Sequence, residues 1–473
     1  MVTISKDIQD GHSLVILATP SCDLMHYGLT DEETGYIRAR LAARDTRISI
    51  NKNNYWIFIQ IVDPVRNDYK EMENMRRSAS KMHRWIVQQG IRSITVIDTE
   101  NKPRLAYAYA EGLVLTNYQF LKYLKNKDEK RYSLDQISIM GLSVYQQDID
   151  DLNYVSEAVY KARDLVNEPS NYLTSVQLGK EVEEMGKAAG FEVEVYNKSR
   201  IEELKMGGIL SVNKGSVEEP TFSILTWHPQ NARNEKPVIL VGKGLVYDTG
   251  GLSLKPANSM DTMKCDMAGG AAVASTLYAI AKAKLPVYVI GMIPSTDNRL
   301  GPASYSPGDI ITMYDGTTVE VLNADAEGRL ILADALSYAR QYDPGLVIDL
   351  ATLTGAAQRA IGSQGMVGMG NAPRDVMDAL IECGEAVFER IAEFPFWDEY
   401  AEAIKSDIAD LKNIGGDEAG AITAGKFLEH FTGYPYIHLD IAGLAFPKST
   451  DHYRIKGGTG TGVRILFEFL KKY

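Results

Sequence analysis

Short apolar runs of strand length recur along this chain, separated by stretches of helix length. This alternation constrains the fold more than any other feature, because strands joined through helical crossovers pair side by side in parallel. SLVILA (13–18), YWIFIQIV (55–62) and ITVI (94–97) are such runs in the first third, with a helical pattern over 74–89 that stops at Gly90. VILV (238–241), VYVIGMI (287–293) and LVIDL (346–350) follow, interleaved with helical patterns over 269–282 and 330–341. Segments 310–314 and 317–322 flank Asp315-Gly316, a dipeptide that favours a tight hairpin turn. The expected class is α/β, with a mixed, mostly parallel central sheet in the larger part.

The chain has 473 residues, whereas a single core stops growing near ~250–300. We therefore expect a smaller N-terminal α/β domain over 1–160 and a larger C-terminal α/β domain over 161–473. A helical pattern over 149–166 is the expected connector. It should stop before Asn167-Glu168-Pro169, since proline disfavours helix in the residue before it. The charged run KNKDEKR (125–131) has no apolar period and reads as a solvated loop. Residues 1–160 carry no motif of their own, so a role in assembly or regulation is expected for them.

Charge and cysteine content exclude several functions. Fifty basic side chains against 62 acidic ones give a net charge of −12, a poor match to a phosphate backbone, so nucleic acid is not an expected partner. Three distant cysteines (Cys22, Cys265, Cys383) make no disulfide framework and fit a reducing compartment. The N-terminal residues lack the pattern of a secretory signal. No run reaches the ~18 apolar residues of a membrane span, so a soluble cytoplasmic protein is expected. There is no HExxH, no GxSxG and no CxxC. Residues 420–426 have the spacing GxxxxGK, but Phe427 stands where a phosphate loop needs Ser or Thr. GGTGTG (457–462) reads as a turn.

Two segments carry chemistry. The glycine-rich stretch 242–266 places Lys243, Asp248, Lys255 and Asp266 on loops and strand ends, and residues 323–329 add Asp325, Glu327 and Arg329. Asp325 and Glu327 diverge on a helix but share a face on an extended chain, so the following helix should begin after them. Four clustered carboxylates need positive charge, and oxygen ligands without His or Cys suit Mg²⁺, Mn²⁺ or a carboxylate-bound Zn²⁺ pair. Each residue alone also has a plain reading, as a turn aspartate, a surface lysine or an ion-paired arginine.

NADAEGRL (323–330) resembles NTDAEGRL, the signature octapeptide of the leucyl aminopeptidase family of dinuclear-metal cytosol aminopeptidases, with Ala324 the one departure. VGKGLVYDTGGLSLKP (241–256) is similar to the family's VGKGITFDSGGISIKP. Further similar segments are NEPSNYLT (167–174), MKCDMAGGAA (263–272), SDIADLKNIGGDEAGAIT (406–423), HLDIAG (438–443) and GGTGTGVR (457–464). The resemblance thus spans roughly 160–473 and makes the larger domain the catalytic one.

It implies a metal-dependent aminopeptidase that releases N-terminal residues, Leu- or Met-like, from short peptides with a free amino terminus. Lys243 and Asp266 would bind the tighter metal, Asp325 the exchangeable one, and Asp248 and Glu327 would bridge both. The metals would be Zn²⁺ or Mn²⁺, with Mg²⁺ an option at the exchangeable site. A bridging hydroxide would attack the first peptide carbonyl, Lys255 would polarise it, and Arg329 would hold a bicarbonate as base. Met263, Thr352, Gly355 and Ala442 match positions lining the family's first-side-chain pocket. The resemblance further implies a homohexamer. Three other readings compete: a catalytically degenerate relative acting as a structural protein, a relative that binds DNA, and a phosphoryl-transfer metalloenzyme.

Overall fold

A computed structural model describes residues 1–62 and 68–473. The chain divides into two compact units, residues 1–156 with 450–455, and residues 157–449 with 456–473. The dividing point falls inside the helix Gln146–Asn167. The short segment 450–455 belongs with the first unit although the chain on both sides of it belongs to the second. A single linear boundary has no way to express that.

The first unit is built on six strands: β1 (Val2–Ile4), β2 (Ser13–Ala18), β3 (Arg47–Asn51), β4 (Trp56–Ile61), β5 (Ser93–Asp98) and β6 (Gln136–Met140). Their spatial order is β1-β6-β5-β2-β4-β3. Every neighbouring pair is parallel except β3 with β4 at the edge. The central strand β2 is covered on both faces, which is why SLVILA is apolar without alternation. Val15 and Leu17 pack with the helices Tyr69–Gln88 and Pro103–Asn117, while Leu14 and Ile16 pack on the other side with Ile37. Helix Asp31–Ala42 starts with a capping box, Thr30 accepting from the Glu33 amide and Glu33 from the Thr30 amide. One reading is corrected here: KNKDEKR is exposed, as expected, but Lys127–Lys130 close one helical turn.

The second unit carries β7 (Glu192–Tyr196), β8 (Thr221–Trp227), β9 (Val238–Gly242), β10 (Gly244–Asp248), β11 (Val289–Asn298), β12 (Ile310–Thr312), β13 (Thr318–Glu320), β14 (Leu346–Ala351), β15 (Met366–Gly370), β16 (Ile391–Glu393), β17 (Leu411–Lys412) and β18 (Tyr436–Asp440). The main sheet runs β16-β15-β18-β14-β9-β11-β8-β7, with β10 beside β11. Strands β18, β14, β9 and β11 are parallel to one another, and antiparallel pairs lie outside them. The sheet is therefore mixed with a parallel centre, as expected.

The buried helices Gly328–Ala339 and Gly420–His430 share one apolar core with Ile239, Val241, Met292 and Val347. Helix Ala268–Lys282 contacts the sheet strands and helix Val463–Lys472. It reaches the sheet closely because Gly269 has no side chain: a Cβ there would stand 1.9 Å from the Leu350 carbonyl oxygen. β12 and β13 pair across the Asp315-Gly316 turn, where Gly316 takes φ +92°. The carboxyl ends of the parallel strands open into loops on one edge of the sheet, where such sheets place their ligands.

Candidate metal centre

Lys243 lies between β9 and β10, and Asp248 ends β10. Asp266 closes the 3₁₀ turn Met263–Cys265 just before helix Ala268–Lys282. Asp325 and Glu327 sit in the loop ahead of helix Gly328–Ala339. That helix begins after them, as the spacing requires. The conformation differs from the expected extended chain, however. Residues 324–325 form a turn and Glu327 already has helical dihedrals (φ −77°, ψ −35°), so the two carboxylates converge through a turn.

These side chains meet. Lys243 Nζ is 2.6 Å from Asp266 Oδ2 and 3.1 Å from Glu327 Oε1. Lys255 Nζ is 2.6 Å from Asp248 Oδ2 and 2.5 Å from Asp325 Oδ1. Oxygens of Asp248, Asp325 and Glu327 all lie within 4.8 Å of one another. Room for Lys243 depends on Gly328, where a Cβ would come within 2.4 Å of Lys243 Cε. Thr352 donates to Asp266 Oδ1 at 2.6 Å and its carbonyl accepts from Lys243 at 3.2 Å.

Four carboxylates against two ammonium groups leave a surplus of negative charge in a buried place. Burial first, then Glu327 and Asp266, push the Asp248 carboxyl up to about 8. Burial raises Asp266 to about 6 despite Lys243, and it raises Asp325 as well. Glu327 goes the other way, because Lys243 and Lys255 outweigh its burial. Burial opposes charge on both lysines, but the carboxylates win and hold both ammonium groups above their usual range. A cluster in this condition fits added cationic charge, and its carboxylate oxygens fit hard divalent ions.

Arg329, in the first turn of its helix, is buried and donates from Nη1 to the Asn413 carbonyl at 2.8 Å. Its Nε is buried with no hydrogen-bond partner among the described residues. Burial lowers its guanidinium to about 10. The four expected pocket positions lie on loops. Met263 opens the 3₁₀ turn, Thr352 follows β14, Gly355 begins helix Gly355–Ile361, and Ala442 follows β18. Asp440 ties the loops that carry Thr352 and Ala442 together, accepting from Leu353 N, Thr354 Oγ1 and Ala442 N.

Sequence reasoning missed two asparagines. Asn413 is fully buried, takes the Leu322 and Asn323 amides on Oδ1 and donates to the Asn323 carbonyl, which fixes the start of the carboxylate loop. Asn298, the last residue of β11, donates from Nδ2 to Asp248 Oδ1 at 2.9 Å. A third feature was legible but unread. Asp349 and His438 interrupt apolar strands, and a charge there needs a partner. They pair with each other at 2.8 Å, and Tyr436 donates to Asp349 at 2.5 Å.

Known proteins resemble this chain in sequence and in fold. Residues 160–467 match the catalytic domain of the cytosol aminopeptidase family. A probable cytosol aminopeptidase of Chloroherpeton thalassium is 42% identical over 402 residues, 81% of this chain and 78% of that protein. One from Chlorobaculum parvum is 51% identical over 315 residues, 66% of this chain and 62% of that protein. Among solved structures, a mutant of tomato leucine aminopeptidase superposes with a TM-score of 0.87 at 27% identity, covering 100% of this chain and 96% of that one. The bottromycin maturation enzyme BotP in complex with Mn gives a TM-score of 0.85 at 27% identity, covering 98% and 99%. The chain belongs to the cytosol aminopeptidase family and is an exopeptidase of the leucyl aminopeptidase type.

Proposed function

We propose that this enzyme removes Leu- or Met-like residues from the free amino terminus of short peptides, using two divalent ions held by Lys243, Asp248, Asp266, Asp325 and Glu327. The observation that carries the proposal is the convergence of these five side chains and Lys255 through contacts of 2.5–3.1 Å on a carboxylate-rich, buried site. Zn²⁺ and Mn²⁺ fit the donors, and Mg²⁺ fits the carboxylate oxygens of Asp325. When bound, the two ions supply positive charge and an activated water at the site, and a bicarbonate at Arg329 supplies a base.

The protein's own groups do the rest. Lys243 can become a ligand only as a neutral amine, so its Nζ gives up a proton that Asp266 and Glu327 now hold in place. Lys255 keeps its charge and donates to the peptide carbonyl oxygen as negative charge develops there. Arg329 is tethered to Asn413 through Nη1 and keeps Nε free, a donor arrangement that fits an oxyanion such as bicarbonate. The half-buried Met263, Thr352 and Ala442 and the exposed Gly355 receive the first side chain of the peptide. These are apolar or small groups, and they favour unbranched or γ-branched apolar residues.

We further assign the enzyme to the cytoplasm as a homohexamer. No described helix is long and apolar enough to cross a membrane. The test is hydrolysis of leucine p-nitroanilide by purified protein after chelation and again after Mn²⁺, Zn²⁺ or Mg²⁺ is restored. Metal-restored release, absent with the N-acetylated substrate, is the expected result. Failure with every metal and with a panel of free dipeptides would overturn it.

A further inference from the structure

The carboxylates of the centre come from separate loops, and loops alone do not hold like charges in register. One buried side chain joins them. Asn298 is fully buried at the carboxyl end of β11. Its Nδ2 donates to Asp248 Oδ1 at 2.9 Å and to the Ala324 carbonyl at 3.0 Å, and it lies 3.5 Å from Glu327 Oε2. Its own carbonyl accepts two bonds from Thr249, from the amide at 3.0 Å and from Oγ1 at 2.8 Å. The β10–β11 pairing sets Asp248 directly opposite Asn298, after a shift in register between Leu245 and Asp248.

The amide can face only one way. Asp248, Ala324 and Glu327 all offer acceptors, so a flipped amide would aim its oxygen at three oxygens. Oδ1 therefore turns toward the Gly250-Gly251 turn, where a Cβ on Gly251 would lie 2.8 Å from it. Gly251, at φ +59°, leaves that space. Gly251 thus leaves room for Oδ1, which is buried with no hydrogen-bond partner among the described residues, and the side that faces the centre is a neutral donor. It bonds the Asp248 carboxylate and the main chain of the Asp325–Glu327 loop without contributing a further charge to a site that already has too many.

We infer that Asn298 is the positioning residue of the metal centre, holding the Asp248 carboxylate against the Ala324 carbonyl, and so against the loop that carries Asp325 and Glu327, through its two amide N–H groups. The inference rests on the metal-centre reading above. Positioning of this kind is worth about 10–100-fold in metal affinity.

Asn298→Asp and Asn298→Ala separate donation from space filling. Asp keeps the shape but, when ionised, replaces the donor by a further acceptor, whereas Ala removes both. The apoprotein, full length, is titrated with Mn²⁺ by calorimetry at pH 8, with far-ultraviolet circular dichroism as the check on folding. We expect both variants to bind Mn²⁺ at least ~10-fold more weakly than wild type, with Asp no better than Ala. At saturating Mn²⁺, kcat should fall while KM for leucine p-nitroanilide moves less than kcat. Wild-type Mn²⁺ binding by Asn298→Asp would overturn the inference and leave the centre intact. Should Asn298→Ala not fold, the isosteric Asp variant still decides. No Mn²⁺ binding by the wild-type chain would overturn the metal-centre reading together with it.

Discussion

Lys255 and Glu327 both sit among the carboxylates, yet their removal should have different consequences. Glu327 pairs with Lys243, so Glu327→Ala takes out the ligand proposed to serve both metals. We expect metal content and turnover to be lost together, with the fold kept because the site is built on loops. Lys255 is a cation facing Asp248 and Asp325. Its replacement by Ala should leave metal content near normal and lower kcat by about 10²–10³-fold, the usual cost of removing a donor to a developing oxyanion. Metal analysis beside steady-state kinetics checks both, and a Lys255→Ala protein stripped of metal would make this lysine a structural group.

The raised carboxyls also set a pH dependence. Asp248, at about 8 from burial and its acidic neighbours, keeps a proton in the folded chelated protein at pH values where the unfolded chain has lost it. For this group the folded state then binds more protons, so its contribution to stability falls as pH rises from near 4 toward 8. Asp266, at about 6, acts in the same direction over the lower part of that window. Thermal melts of chelated protein across this range should show the fall, and saturating Mn²⁺ should flatten it. Melting temperatures that rise with pH in the chelated protein would contradict the charge surplus.

At the scale of elements, two glycines do opposite jobs. Gly269 lets helix Ala268–Lys282 touch the backbone of β14, and a Cβ there meets the Leu350 carbonyl carbon and oxygen, neither of which can swing aside. Gly269→Ala should cost about 1–3 kcal/mol through overpacking. Gly328 instead makes room for the Lys243 side chain, and Ala is the better helix former. Gly328→Ala should keep or raise the melting temperature while displacing Lys243 and weakening metal uptake. Denaturation and Mn²⁺ titration on the same two variants separate the effects.

Much of this level was legible in the chain. Fully buried strands such as β2, β9 and β14 are continuous apolar runs, and the hairpin announced itself through Asp315-Gly316. β7 and β8 were not read, because β7 (EVEVY) is a half-exposed edge strand whose alternating charges carry no buried face. Spacing singled out the four carboxylates, but on the expectation of an extended chain where a turn brings Asp325 and Glu327 together, and the individual ligand roles came only from the motif. Asn298 and Asn413 were invisible for a related reason. A buried amide at a strand end or in a loop looks like any surface asparagine until its partners, tens of residues away, are known. Asp349 and His438 were the reverse, a polar pair whose burial the apolar strands around them already implied.

At the scale of the molecule, the proposed hexamer is the property to measure first. Sedimentation velocity of the purified chain should show one species of six times the chain mass, and a monomer at enzymatic working concentration would remove that assignment. The two-unit division bears on any attempt to take the enzyme apart. The segment 450–455 returns to the first unit late in the chain, and Tyr453 gives its hydroxyl to Glu73 at 2.8 Å, 380 positions away. No single cut can therefore separate the halves cleanly. A gene trimmed to begin after residue 156 would still encode Tyr453 and would have deleted the glutamate that accepts its hydrogen bond. In evolutionary terms, the amino-terminal unit cannot be shed or exchanged like a cassette. A lineage that replaced it would have to rewrite a stretch near the carboxyl terminus in the same step.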